Sequence, residues 1–303
     1  MILFLTRDGF LNPVRCLVEN LISSFNISSH IINTDHYDPA TTGGLGRNSN
    51  PNYGLVVRYG TTALCNYFER DANWDAHHNK IFNEYHAVAA ASDKYSALEV
   101  LELEGIPVPS RALVDEYLRN RAIQRDFGLP IVGRQFNHFG GHDLRLIQRA
   151  ENAAVNPRTG KTSDYILRFY ENTEEYRVWT FNTKKYRRNT GRVLVIKAAK
   201  KVDSGNIDRS RQPGSKRILK NRKNGYIFEW SDNIPEEIRD ISRRATEVLE
   251  LDFAAIDIIH DLESNRYILL EVNTAPGMSA ESTIRLLSER FAQAHSRLID
   301  RQQ

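Results

Sequence analysis

The chain has 303 residues, of which 26% are charged and 41% hydrophobic, and its formal net charge is +3. This balance is typical of a globular protein and excludes collagen, bulk disorder and a disulfide-stapled miniprotein. The length favours two or three structural units. No window approaches about 18 consecutive apolar residues, and the N-terminus lacks the basic region of a signal peptide, so we expect a cytoplasmic protein that does not associate with membranes. Cys16 and Cys65 lack metal-binding spacing and are expected to be reduced thiols.

The small net charge conceals a strong asymmetry. Between Lys184 and Lys223 there are 15 lysines and arginines against two aspartates, a net charge of +13, so the rest of the chain carries −10. Such a segment indicates an anionic partner, which could be phosphate, a carboxylate-rich substrate or nucleic acid, and the alternative is a solvated basic loop. Nucleic acid is disfavoured because Tyr186 is the one aromatic residue available there for base stacking.

Residues 1–90 alternate short apolar runs with turn-rich stretches. The runs at 2–6, 31–33 and 55–58 predict strands, and residues 11–21 predict a helix. Strands separated by a helix favour a small α/β layer with parallel strands.

The middle of the chain predicts a capped helix and then a series of strands. Ser92 is a candidate N-cap for a helix that Gly105 ends. A strand at 130–134 leads into a polar loop at 137–142, which contains two adjacent glycines. Three more strands are expected, at 165–170, 176–181 and 193–198.

The C-terminal part predicts a helix, a hairpin and a closing helix. Residues 231–233 are candidate caps for a helix that begins near Pro235 and carries two glutamates in its first turn, where the helix dipole favours acids. The hairpin strands are expected at 253–259 and 267–272, and the last helix at 282–298.

Both hairpin strands carry carboxylates inside apolar sequence. Asp257 lies within the first, while Glu271 and Asn273 lie two residues apart on the second and therefore share a face. A hairpin centred on Ser264 would place Asp257 opposite Glu271, with Cβ atoms roughly 4.5–5.5 Å apart. Two carboxylates that close repel, and a divalent cation removes the repulsion. Carboxylate and amide oxygens suit Mg²⁺, so these three residues are candidate Mg²⁺ ligands.

Two other interpretations of these acids stay open at this stage. The acids could face solvent at a sheet edge, or they could pair with nearby arginines. The register is also an inference, because a slip of one residue would turn one acid to the opposite face.

The residues around these acids resemble the end of the ATP-grasp fold, in the branch that contains D-alanine–D-alanine ligase and the ribosomal-protein glutamate ligases. The resemblance is carried by Leu251–Asp257 and by Leu270–Met278. Further pieces follow the family's order upstream: Asp93-Lys94 with Gly105–Pro109, then Ile131–Arg134, then Glu175–Val178. In addition, Asn221–Phe228 resembles a segment of phage-type ATP-grasp ligases.

The resemblance implies a nucleotide site. Lys94 would reach the ATP phosphates, and Arg134 would contact phosphate and adenine where relatives carry a lysine. Glu175 would hydrogen-bond the ribose. The loop that covers the phosphates would supply His138, Gly140 and Gly141.

The resemblance also implies substrate contacts. Arg177 would reach the acyl-phosphate region, and Lys197, on its expected strand in the basic segment, is a candidate for the same place. The turn at 276–282, with Ser279 and Ser282, is similar to the one whose serine binds the second D-alanine's carboxylate. Ala255, however, replaces an arginine of the D-alanine–D-alanine ligases, which argues against that particular activity.

The expected fold is therefore an α/β ATP-grasp fold with a pre-ATP-grasp domain at 1–90 and two α+β subdomains at 91–164 and 165–303. The implied activity is ATP- and Mg²⁺-dependent ligation of a carboxylate to an amine through an acyl phosphate, with Mn²⁺ as an alternative metal. Substrates would be small molecules or peptides, with an acidic acceptor favoured, and a homo-oligomer is left open. The alternatives are an ATP-grasp kinase and a non-catalytic nucleic-acid binder.

Overall fold

The computed structural model describes residues 1–36, 53–62, 80–136, 144–155, 160–187, 189–206, 220, 224–278 and 280–300. Within these ranges, no helix is long and apolar enough to cross a membrane. The strands are β1 (Ile2–Thr6), β2 (Ser29–Asn33), β3 (Leu55–Arg58), β4 (Ile81–Phe82), β5 (Arg111–Leu113), β6 (Ile131–Arg134), β7 (Arg145–Ile147), β8 (Tyr165–Arg168), β9 (Thr173–Asn182), β10 (Val193–Asp203), β11 (Tyr226–Trp230), β12 (Phe253–Asp261) and β13 (Arg266–Asn273). The α-helices are α1 (Leu11–Phe25), α2 (Tyr85–Ser92), α3 (Lys94–Leu103), α4 (Val114–Arg119), α5 (Arg121–Phe127), α6 (Glu236–Val248) and α7 (Glu281–Ile299).

The N-terminal strands form a parallel sheet in the order β2-β1-β3-β4. Every residue of β1 and β3 is buried, as expected for parallel strands that are covered on both faces. Helix α1 packs Val14, Leu17 and Leu21 into the same core. The predicted parallel α/β layer is confirmed.

The largest sheet is antiparallel, with the strand order β11-β10-β9-β12-β13. Helix α6 covers one of its faces and buries Ile238, Ile241 and Ala245 against it. Part of the opposite face shares a core with the N-terminal sheet, in which Phe4, Phe253 and other aromatic side chains pack around the α7 residue Phe291. The N-terminal sheet is therefore fixed against the sheet that carries the predicted metal ligands.

A second antiparallel sheet has the order β5-β8-β6-β7 and its own small core around Tyr117 and Phe127. Strand β8 belongs to this sheet, although the boundary expected at 164/165 places it in the C-terminal subdomain. The division at 90 and 164 stays a prediction.

Two of the expected helix caps are wrong. Ser92 is the last residue of α2, and the N-cap of α3 is Asp93, whose side chain accepts a hydrogen bond from the backbone N–H of Ser96. At α6 the N-cap position is Pro235, without a side-chain cap, so residues 231–233 do not cap it. The carboxylate of Asp93 replaces the Ser92 hydroxyl because it lies one residue nearer the first turn.

The β12–β13 hairpin confirms that Asp257 lies opposite Glu271, but for a different reason from the one expected. Near the turn Asp261 pairs with Arg266, which centres the hairpin half a residue before Ser264. A register shift after Asp257 then leaves Leu270 as the extra residue of a β-bulge and restores the predicted pair. The bulge therefore sets which acids meet.

Candidate active site

A cavity of about 390 Å³ opens between the two antiparallel sheets. Its walls are apolar: Val132, Leu144 and Leu167 belong to the smaller sheet or its flanks, and Ile259 and Leu270 belong to the larger one. Its remaining lining is Pro109, Arg134, Arg168, Phe169, Tyr170, Thr173, Glu175, Arg177, Lys201, Lys220, Asp257, Glu271 and Asn273. The cavity thus combines apolar walls from both sheets with charged side chains, which suits a ring system that carries an anionic group.

The charged residues of the larger sheet are arranged in rows across its strands. Residues that are directly paired on neighbouring strands share a face, and one such row runs through Trp230, Ala199, Arg177, Asp257 and Glu271. Alternation along each strand therefore gathers on one face charges that are far apart in sequence.

The two neighbouring rows complete the layout. One contains Lys201 and Glu175, and the other contains Lys197, Trp179, Ala255 and Asn273. Each of these residues lies two positions along its strand from a member of the central row, so all of them present the same face of the sheet.

Asp257 is the most heavily engaged group in this array. Arg177 donates from Nε to its Oδ1 at 2.8 Å and from Nη2 to its Oδ2 at 2.6 Å, and the Lys201 ammonium lies 3.1 Å from Oδ1. Burial alone would raise the pKa of Asp257, but Arg177 and Lys201 outweigh burial and hold that pKa well below its ordinary value. Asp257 is therefore a carboxylate at any physiological pH.

Lys201 joins this pair to a third acid. Its side chain is only 5% exposed, and its ammonium donates to Oε1 of Glu175 as well as contacting Asp257. The sequence interpretation missed Lys201 because it selected Lys197 from the same strand. The signal was present, since Lys201 follows Lys197 by four residues, an even spacing that keeps both on one face.

Glu271, the register partner of Asp257, is contacted by Lys94. The Lys94 ammonium lies 3.4 Å from Oε1 of Glu271 and donates to the carbonyl of Val272, so it crosses from the start of α3 to β13. Asn273 points at the same cluster and donates from Nδ2 to Oδ2 of Asp257 at 3.3 Å.

Asp257, Glu271 and Asn273 present a donor set that fits Mg²⁺: two carboxylates directly opposite each other and one amide oxygen on the same face. The alternative interpretation, in which the acids pair with arginines, also applies to Asp257, because both of its oxygens accept hydrogen bonds from the Arg177 guanidinium. Oδ1 of Asp257 is contacted by Arg177 and Lys201, and Oδ2 by Arg177 and Asn273, so a metal ion would have to replace one of these contacts to share the carboxylate.

Lys197 and Ser282 are brought together by the structure, but neither lines the cavity. Lys197 donates to the Ser282 hydroxyl at the start of α7, and its ammonium lies 3.5 Å from the centroid of the Trp230 ring. Burial lowers the pKa of Lys197. Trp230 is 41% exposed, so this pair sits at an aromatic edge beside the charged rows.

The remaining predicted residues divide into two groups. Arg134 and Glu175 line the cavity, and their contacts with a nucleotide stay a prediction. His138, Gly140, Gly141 and Ser279 lie outside the described residues, as do Cys65 and most of the 205–223 stretch.

Part of the basic segment is neutralised where the structure describes it. Lys184 pairs with Glu247 at 3.0 Å, and Lys200 pairs with Glu174 at 2.6 Å. Lys185 is held by both Glu84 and Asp252 at 2.8 Å. Part of the local excess charge is thus cancelled within the protein, which the linear sequence could not reveal because each acid lies on a different element.

Comparison with known proteins identifies the fold and the family. The model of the RimK-like ATP-grasp domain matches residues 91–287. The chain belongs to the RimK-like ATP-grasp family. This membership confirms the predicted class, an ATP-dependent carbon–nitrogen ligase that requires ATP and Mg²⁺.

Solved structures agree on the fold along almost the whole chain. A complex of the ATP-grasp ligase PsnB with a minimal precursor, Mg and ADP has a TM-score of 0.66 at 15% identity and covers 97% of each chain. PsnB with the precursor peptide PsnA2 and AMPPNP gives a TM-score of 0.62 at 14% identity, again with 97% of each chain covered. The N5-carboxyaminoimidazole ribonucleotide synthetase from Thermotoga maritima gives 0.59 at 14% identity, with 98% of this chain and 75% of that chain covered. A search of curated proteins found no match.

Proposed function

We propose that the cavity binds MgATP and that the charged rows beside it activate a substrate carboxylate for attack by an amine on a peptide or small molecule. The observation that carries the proposal is that one cavity of about 390 Å³ is lined both by apolar side chains and by the array of Asp257, Arg177, Lys201, Glu175 and Glu271. An adenine ring suits the apolar walls, and a triphosphate suits the cations.

The apolar walls would hold the adenine. Val132 and Leu167 on one side and Ile259 and Leu270 on the other would contact both ring faces, and the segment after β8 would supply backbone groups at the ring edge. The phosphates would then extend toward Arg134 and Lys201. Lys220, which donates to the carbonyl of Thr173, extends the cationic border on the same side.

Asp257, Glu271 and Asn273 would hold the metal. When bound, Mg²⁺ neutralises the charge that develops on the transferring phosphoryl group. Lys94 fixes Glu271 from behind, and Arg177 fixes Asp257, so the ligands are preorganised by side chains that also carry positive charge toward the phosphates.

The proposed reaction has two balanced steps. An oxygen of the substrate carboxylate attacks the γ-phosphorus of ATP and releases ADP, which gives an acyl phosphate. The amine nitrogen then attacks the acyl carbon, and the C–O bond to phosphate breaks as the nitrogen loses its proton. Arg177 would stabilise the acyl phosphate from the array, and Lys197 would approach it from the Trp230 edge.

The proposed substrate class rests on the positive charge of the basic segment. Lys197 has no carboxylate partner among the described residues, and Arg209, Arg211, Lys216 and Arg217 belong to the basic segment beyond them. We therefore propose an acidic acceptor. The structural similarity to PsnB, solved with a precursor peptide, supports a peptide among the candidates.

A substrate screen tests the proposal. Acidic amino acids and acidic peptides would be supplied as acceptors, with a panel of carboxylic acids, and ADP and free phosphate would be measured together. A ligase releases both in equal amounts and only when an amine is present. ADP release with a stable phosphoester and no amine requirement would instead establish the kinase alternative.

A further inference from the structure

The cavity lining attracts a polyanion more strongly than a free metal ion. Among its described residues, the arginines and lysines are Arg134, Arg168, Arg177, Lys201 and Lys220, and the carboxylates are Glu175, Asp257 and Glu271. Lys94 adds another positive charge behind Glu271. At the proposed metal ligands themselves, Lys94, Arg177 and Lys201 balance the three acids Glu271, Asp257 and Glu175, so little net negative charge is left there to attract a lone divalent cation.

Among the cations that contact a proposed metal ligand, Lys201 bridges that ligand to a second acid of the cavity. The Lys201 ammonium touches Glu175 and lies 3.1 Å from Oδ1 of Asp257, with its side chain 5% exposed. Arg177 approaches Asp257 from its own side and holds the carboxylate in place. Lys201 is thus the positive charge that offsets the acids at the position where a metal would offset them.

We infer that Lys201 is a resident counter-ion of the metal site and that it couples divalent-metal binding to nucleotide binding. Its ammonium has to leave Asp257, while retaining Glu175, before a divalent ion can share that carboxylate. Arriving phosphates provide the new partner for the ammonium, so the metal binds together with the nucleotide and weakly without it. This inference rests on the proposed metal ligands and adds a regulatory role for a residue outside that ligand set.

Neighbouring Lys200 provides a matched control. It precedes Lys201 on β10 but points to the opposite face, where it pairs with Glu174 at 2.6 Å. Replacing either lysine by methionine removes one charge from the same strand and keeps most of the side-chain volume. Only the Lys201→Met change removes a cation from the metal ligands.

The experiment measures Mn²⁺ binding to the full chain by the loss of the free-ion EPR signal, with and without ADP. The wild type is expected to bind Mn²⁺ weakly alone and at least about tenfold more tightly with ADP. Lys201→Met is expected to bind Mn²⁺ at least about tenfold more tightly than the wild type in the absence of nucleotide, because a like charge has been removed. Lys200→Met should match the wild type. Equal nucleotide-free affinities for Lys201→Met and the wild type, or an equal gain in Lys200→Met, would overturn the inference.

Two further variants keep the result interpretable. The double variant Glu175→Gln/Lys201→Met removes both charges of the ion pair. It should also bind Mn²⁺ more tightly than the wild type in the absence of nucleotide. Circular dichroism identifies which variants are folded. Glu271→Gln should weaken Mn²⁺ binding in the presence of ADP. If Glu271→Gln has no effect, the metal ligands of the proposed function are wrong. If Glu271→Gln weakens binding but neither Lys201 variant gains it, only the counter-ion role fails.

Discussion

Arg177 binds both oxygens of Asp257 from the neighbouring strand, with donor–acceptor distances of 2.8 and 2.6 Å. The two residues are direct register partners on β9 and β12, yet they lie 80 positions apart in sequence. Asp257 is only 8% exposed on its side chain, so losing Arg177 would leave Lys201 to offset a buried carboxylate, and breaking a buried pair typically costs about 3–5 kcal/mol. The pair therefore orients a metal ligand and stabilises the fold together.

This pair predicts a specific acid dependence. The pKa of Asp257 is depressed in the folded state, so its contribution to stability is present above its unfolded value of 3.8 and is lost as the pH falls through the folded value. We expect Asp257→Asn to unfold at a lower temperature than the wild type near pH 6, and the gap to narrow below about pH 4. Thermal denaturation of both proteins across this pH range measures the difference between their unfolding temperatures.

Asp115→Asn serves as the control for that measurement. Asp115 pairs with Arg119 at 3.8 Å, with both side chains at least 80% exposed, and such pairs contribute little. Its unfolding temperature should follow the wild type at every pH. A gap for Asp257→Asn that stays constant down to the lowest pH would show that Asp257 is not charged in the folded protein.

Glu271→Gln should abolish turnover while leaving the fold intact. The substitution keeps the size of the side chain but removes the charge that offsets the metal, so we expect ADP formation to fall by at least about 100-fold. Glu263→Gln, on the exposed hairpin turn, is the control and should be as active as the wild type. Normal ATP turnover by Glu271→Gln in the presence of Mg²⁺ would contradict the metal assignment.

The sequence predicts the local order of this site better than its contacts. The apolar strands with single acids at 257 and 271 were sufficient to expect their pairing, because strand periodicity and a short turn restrict the register. The position of the turn was wrong by half a residue, and the bulge at Leu270 compensates for it. Bulges depend on the packing of both strands, so neither strand's sequence specifies one alone.

The ion pairs of the array could not be predicted from sequence. Lys201 on β10 reaches Asp257 on β12 across the one strand, β9, that separates them in the sheet. This strand order is a property of the whole chain and cannot be inferred from the sequence of any single strand. The same reason explains why the sequence counts Lys184, Lys185 and Lys200 toward the net positive charge of the basic segment without indicating their partners. Each finds an acid on a different element, so their charges cancel only after folding.

Lys94→Ala tests whether this lysine contacts ATP or only positions Glu271. If it contacts the phosphates, the KM for ATP should rise about tenfold or more, as the loss of a charge-assisted hydrogen bond implies. Lys184→Ala, which removes an exposed lysine paired with Glu247, is the control. A rise in the Mg²⁺ requirement with an unchanged KM for ATP would mean that Lys94 acts through Glu271 alone.

Charge reversal at Arg209 and Arg211 tests the acidic acceptor. If the basic segment binds acceptor carboxylates, Arg209→Glu/Arg211→Glu should raise the KM for the acceptor more than the KM for ATP, and added salt should lower the wild-type rate. Kinetics with each substrate varied in turn separate the two effects. Deletion of residues 205–215 with every kinetic constant unchanged would establish a solvated loop instead.

Gly60 joins the N-terminal sheet to the loop that follows the metal strand. Its backbone has a φ of +68°, and a Cβ there would lie 2.5 Å from the Cβ of Ala275 and 2.8 Å from the Phe10 ring. The adjacent Tyr59 is buried and donates its hydroxyl hydrogen bond to the carbonyl of Pro276. The N-terminal domain therefore fixes the chain immediately after Asn273.

Gly60→Ala should consequently disturb the active site from outside it. The left-handed backbone and the contact with Ala275 together should destabilise the protein by about 1–3 kcal/mol. Because the strain falls two residues after Asn273, the Mg²⁺ requirement for ADP formation should rise as well. Gly9→Ala is the matched control, since a Cβ there meets nothing within 4 Å, and its stability should change by less than about 0.5 kcal/mol. If Gly60→Ala lowered the unfolding temperature but left the Mg²⁺ requirement unchanged, the junction would stabilise the fold without positioning Asn273.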